Sequence, residues 1–110
     1  MTVVDAWIQH PTPAFLRHPM FASLRRWTGA AEVPDAIPPE FTLGALEAAR
    51  VDRALVCAWW GPSGALIDND EVAALVALRP EMLVGVASVD LSRPMRGVRE
   101  LRRAVQQLGL

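Results

Sequence analysis

Three short stretches of this 110-residue sequence concentrate the side chains able to contact a ligand. The first is Trp7-Ile8-Gln9-His10, which places an indole, a carboxamide and an imidazole within one turn of chain. The second is the pair Trp59-Trp60, and the third runs Ser88-Val89-Asp90 with Ser92 just beyond. Each begins at or just past an apolar run, the position where a buried strand opens into a loop. In parallel α/β proteins ligands gather at the carboxyl ends of strands, because the loops converge there while the strand itself is committed to packing. The candidate substrate-binding set is therefore Trp7, Gln9, His10, Trp59 and Trp60, with the indoles as walls and Gln9 and His10 as polar contacts.

Each candidate also has a purely structural reading. A loop histidine such as His10 serves equally well by bonding to backbone or facing solvent, and His18, before Pro19, is a weaker candidate still. Alternation along a strand sends Trp59 and Trp60 to opposite sides, so at least one of them belongs to packing. Asp5 is explained by hydrogen bonds to neighbouring backbone, and Asp90-x-Ser92 by the capping of a following helix. No catalytic residue is assigned.

The elements that must position these residues follow from the apolar pattern. Residues 3–8 are short and β-favouring, and they end at the proline-punctuated stretch Gln9-His10-Pro11-Thr12-Pro13. Residues 54–59 and 83–89 are nearly continuous apolar runs, as expected for parallel strands covered on both faces. Between them, Asp68-Asn69-Asp70-Glu71 offers an N-cap with an acid three residues later, ahead of Val72, Leu75, Val76 and Leu78 at helical spacing. That order is a βαβ unit. A last helix starts at Ser92 and Pro94, carries the apolar stripe Val98, Leu101, Val105 and Leu108, and leaves through Gly109. The long connection from Gln9 to Asp52 is expected to hold helices around 20–27 and 42–50, separated by a loop at 29–39.

Composition narrows the partners. Eleven cations, all arginine, oppose twelve acids for a formal net charge of -1, so no global field favours a polyanion. The basic run Arg93, Arg96, Arg99, Arg102 and Arg103 lacks interleaved aromatics and reads as a solvated helix face, which argues against nucleic acid. No apolar run approaches the roughly 20 residues of a membrane helix. The single cysteine, Cys57, lies in an apolar run as a buried thiol does, which fits a reducing cytoplasm. Residues 1–110 read as one domain with no linker and no repeat.

The stretch Val3-Val4-Asp5-Ala6-Trp7-Ile8-Gln9-His10 resembles the first strand of the amidohydrolase-related family, which includes aminocarboxymuconate-semialdehyde decarboxylase. Residues 48–56 resemble its helix-to-strand joint, residues 79–90 its third strand, and residues 101–110 the helix before strand four. The resemblance covers nearly the whole chain in order. It implies an α/β fold: the N-terminal three βα units of a (β/α)8 TIM-like barrel, incomplete within this chain.

The family places Asp-x-His-x-His on this strand, and the two histidines bind a catalytic divalent metal such as zinc. Here the matching positions are Trp7 and Gln9. An indole N–H is only a donor, and an amide oxygen is a poor substitute for imidazole toward zinc. The first-strand ligand pair is thus replaced, and His10, one residue on, points opposite to Gln9 on a regular strand.

The resemblance implies a hydrolase or carboxy-lyase acting on a small carboxylated or cyclic substrate. This chain would be its catalytically incomplete first part, with the remaining machinery on later strands. The competing reading is a stand-alone, non-catalytic α/β binding or oligomerisation module. Either way the three open strands call for a partner, a second copy or the remainder of the barrel.

Overall fold

The computed structural model describes residues 1–30 and 32–110. Its centre is a parallel sheet of three strands, β1 (Val4–Ile8), β2 (Arg53–Cys57) and, completing it, a strand at Leu83–Val86, in the order in which they occur along the chain. A two-stranded antiparallel ribbon follows β2, made of β3 (Trp59–Gly61) and β4 (Gly64–Ile67), so the Leu83–Val86 strand is β5. The ribbon was not foreseen from the apolar run at 54–59. That run breaks after Cys57, and the Gly61-Pro62-Ser63-Gly64 turn, with Gly64 at φ +122°, reverses the chain.

The helices are α1 (Pro13–Arg17), α2 (Ala22–Thr28), α3 (Pro39–Ala48), α4 (Asn69–Leu78) and α5 (Pro94–Gln106), with a 3-10 turn at Pro19–Phe21. The long first connection therefore carries the expected helical segments, with an additional short α1. Thr12 caps α1 by accepting from Phe15 N, and proline stands first in α1, α3 and α5, where its missing N–H costs nothing. The loop expected at 29–39 includes Ala31, which lies outside the described residues.

The capping box read at the start of α4 is present. The Asp68 carboxylate accepts from Glu71 N at 2.8 Å, and the Glu71 carboxylate accepts from Asp68 N at 2.8 Å. Val72 and Leu75 of α4 then cover one face of the sheet, where Ala54 pairs with Leu83 and Val56 with Gly85. Phe15, Leu46, Ile67 and these strand residues form one buried cluster.

The other face of the sheet is only partly covered, with Cys57 buried and Leu55 and Val86 half-buried on it. Val84 alternates away from the cluster and is exposed, and β1 and β5 each have β2 as their sole strand neighbour among the described residues. No closed barrel forms among those residues.

One expectation is corrected in α5. Its stripe Val98, Leu101 and Val105, together with Met95, lies exposed, while Gly97 and Ala104 are the buried positions and Glu100 and Arg103 are half-buried. Helical spacing groups residues on a face without saying which face a neighbour covers. Here the covered face is the one whose polar groups find partners on α4. Gly97 allows close contact, because a Cβ there would stand 3.0 Å from the Asp90 carbonyl oxygen.

Candidate functional site

The carboxyl ends of β1, β2 and β5 carry the residues singled out in the sequence. Ile8 packs on the buried cluster, so alternation places Trp7 on the opposite face of the sheet, and Gln9 and His10 follow directly after the end of β1. Trp7 is 65% exposed. Gln9 is half-buried, and its Nε2 is buried without a hydrogen-bond partner among the described residues. Asp5 is bound locally, its Oδ1 accepting from Trp7 N at 3.2 Å, where the register between β1 and β2 slips.

His10 is held at both ring nitrogens. Nε2 is 3.0 Å from the Ile37 carbonyl oxygen, which can only accept, so Nε2 carries the proton. Nδ1, 2.8 Å from Thr42 Oγ1, then accepts from the threonine hydroxyl. The imidazole ties the end of β1 to the start of α3, beside an apolar cleft of about 370 Å³ that it lines with Thr12, Pro39 and Leu75. Thr42 is buried, so Thr42→Val should leave Nδ1 unpaired and lower stability by about 1–2 kcal/mol. Chemical denaturation of the two proteins measures that difference, and an unchanged midpoint would remove His10 from this anchoring role.

Trp59 and Trp60 separate as alternation requires. Trp59 is half-buried and packs on Phe15, ring centroids 5.8 Å apart, while Phe15 meets Phe21 edge-on at 4.8 Å. Trp60 is 37% exposed and lines a trough of about 780 Å³ between the β3–β4 ribbon and α5. Its backbone N donates to Ser88 Oγ at 3.0 Å, which fixes the ribbon to the end of β5.

The sequence did not signal the role of Asn69. Only 3% exposed, it donates to the Ser88 carbonyl (3.0 Å) and to Glu100 Oε1 (2.8 Å), and its Oδ1 accepts from Ser88 N (2.9 Å). Arg103 grips Glu100 and Asp70 at once, with its Nη2 2.8 Å and 2.6 Å from their carboxylate oxygens. This guanidinium holds both carboxyls below the usual carboxylate range, and the Asn69 amide adds to the effect at Glu100. A buried asparagine within a capping sequence is the available clue, and capping by Asp68 already accounts for that segment.

Asp90 and Ser92 form a local turn rather than a helix cap. The Ser92 hydroxyl and backbone N–H donate to Asp90 Oδ1 at 2.6 and 2.9 Å and keep the acid below its ordinary range, while the cap position of α5 is Arg93, without a side-chain bond. Burial raises the Cys57 thiol, with a smaller opposing contribution from the Ile8 backbone, as suits an inert structural cysteine. His18 Nδ1 accepts from Met20 N at 3.3 Å and is likewise structural.

These residues do not fit a divalent cation. The Trp7 indole has no lone pair to give, the nitrogen of Gln9 is a donor, and both imidazole nitrogens of His10 are committed. Among the described residues no three His, Cys, Asp or Glu side chains cluster as a metal site would require. No helix of the described residues is long and apolar enough to cross a membrane.

No family model matches the chain, and neither does any curated protein. Solved structures do match its fold. A 2,6-dihydroxybenzoate decarboxylase complexed with 2,6-dihydroxybenzoate superposes over 100% of this chain and 38% of its own, with a TM-score of 0.66 at 18% identity. An uncharacterised TIM-barrel protein from Bordetella bronchiseptica superposes over 100% and 42%, with a TM-score of 0.68 at 15% identity. A dihydroxybenzoic acid decarboxylase from Polaromonas, with bound manganese and the inhibitor 2-nitroresorcinol, superposes over 100% and 37%, with a TM-score of 0.64 at 15% identity. The chain spans less than half the length of each. Three parallel strands in chain order, joined by helical connections, are thus the fold of part of a TIM barrel.

Proposed function

We propose that this chain contributes the first three βα units of an amidohydrolase-type hydrolase or carboxy-lyase for a small carboxylated or cyclic substrate. The observation that supports the reading best is the superposition of this whole chain on part of two decarboxylases, combined with an incompletely covered sheet face that exposes Trp7, with Gln9 just past the end of the same strand. In this role Trp7 supplies a flat apolar wall and the Gln9 amide a neutral donor, reoriented toward a substrate oxygen. Trp60 adds a second wall at the rim. His10 and Trp59 act by holding the strand ends in place, through Thr42 and Phe15 respectively. Such a site binds and orients; proton transfer and any metal would depend on groups from further strands.

The 110-residue chain alone is expected to show no decarboxylation of 2,6-dihydroxybenzoate or related aryl carboxylates above background, followed by carbon dioxide release. In extracts of the source cells, an antibody raised against the chain should detect a polypeptide of barrel size. A band at 110 residues, or turnover by the chain alone, would favour the stand-alone module or a different site.

A further inference from the structure

We propose that the trough between the β3–β4 ribbon and α5 is a binding site for a small aryl carboxylate, separate from the incompletely covered sheet face and independent of the enzyme reading. Its volume of about 780 Å³ falls within the size range of small-molecule sites. Trp60 lines it from the ribbon, and α5 lines it from Arg96 to Arg103.

The formal charges along the trough balance, with Arg93, Arg96, Arg99 and Arg103 against Asp68, Asp70, Asp90 and Glu100. Their hydrogen bonds do not. Asp68 is occupied by Glu71 N, Asp90 by Ser92, and Asp70 and Glu100 by Arg103. Arg93 reaches Asp90 only at 3.9 Å, and Arg96 and Arg99 form no ion pair or side-chain hydrogen bond among the described residues.

Every acid in the trough is therefore satisfied from within, while two guanidiniums keep their donor forks unspent. A planar fork matches a carboxylate through paired N–H···O bonds, and the indole suits a flat ring beside it. The bond from Trp60 N to Ser88 Oγ anchors the strand that carries the indole. The ligand must be small, anionic and flat.

The test is a titration of the 110-residue chain with benzoate, followed by Trp fluorescence and by amide shifts around Trp60, with benzyl alcohol and inorganic phosphate as separate arms. Benzoate should bind at least about tenfold more tightly than benzyl alcohol, and the double variant Arg96→Gln/Arg99→Gln should lose about tenfold in benzoate affinity. Arg102→Gln, outside the trough, should bind as the parent does, and thermal melting of all variants controls for folding. Phosphate matching benzoate would overturn the aryl requirement and leave a plain anion patch. Benzoate affinity unchanged in the double variant, or no benzoate binding by the parent, would overturn the site. Because Trp7 and Gln9 take no part, Gln9→Met reports separately on the end of β1: benzoate binding lost in Gln9→Met but retained in the double arginine variant would place the ligand there instead.

Discussion

Asn69→Ala should destabilise the chain by about 2–4 kcal/mol, because one truncation strips partners from three groups at once. The Ser88 N–H and carbonyl and the Glu100 carboxylate all lose the amide that now satisfies them. Ser88 in turn accepts from Trp60 N, so the ribbon and the end of β5 loosen together. Asn69→Asp should not rescue the protein, since its second oxygen would face the Ser88 carbonyl and the Glu100 carboxylate. Urea unfolding measures the loss, and amide hydrogen exchange at Trp60 and Ser88 locates it. A midpoint within experimental error of the parent would show that the network does not hold these elements.

The same network sets a dependence on acid. Asp70 and Glu100 have folded-state values below their ordinary ones, through Arg103 at both sites and Asn69 as well at Glu100. A lowered carboxylate contributes stability that is fully present above its unfolded value, about 4, and is lost as pH falls through the lower folded value. Melting should therefore weaken below about pH 4 in the parent. Arg103→Leu should flatten that slope, since it removes the partner shared by both acids.

The second large effect is association. Among the described residues β1 and β5 each offer one unpaired edge, the second face of the sheet exposes Trp7 and Val84, and α5 exposes Met95, Val98, Leu101 and Val105 along one side. Unpaired edges and contiguous apolar surface favour a partner, and three strands are too few to close a barrel that ordinarily has eight. Light scattering over a concentration series is expected to give dimers or larger species. Leu101→Glu with Val105→Glu should shift the distribution toward monomer with little change in the fold, because both side chains already face solvent. A monodisperse parent monomer with a cooperative melt at high concentration would overturn this expectation and make the stand-alone module the better reading.

Much of the architecture was legible along the chain because the forces that set it are local. The Asp68–Glu71 box, the proline that begins α5, the Gly109 exit at φ +73° and the apolar runs of β2 and β5 each act within a few residues, whereas Pro39, read as the end of a loop, begins α3. The order of parallel strands followed from them. Alternation also required Trp59 and Trp60 to part, without saying which would be packed.

Tertiary structure decided the questions that need a neighbour. Phe15, 44 positions before Trp59, claims that indole and leaves Trp60 to the trough. Thr42 and Ile37 occupy both nitrogens of His10, a fact invisible from Gln9-His10-Pro11 because the partners arrive from the far end of a long connection. The burial of α5 shows the general reason. Its sequence defines an apolar stripe and a polar face with equal clarity, yet Asn69 and Asp70 on α4 match Glu100 and Arg103, so the polar face is covered and the stripe left open. Periodicity determines which residues travel together; only the groups waiting on the adjoining element determine which set is buried.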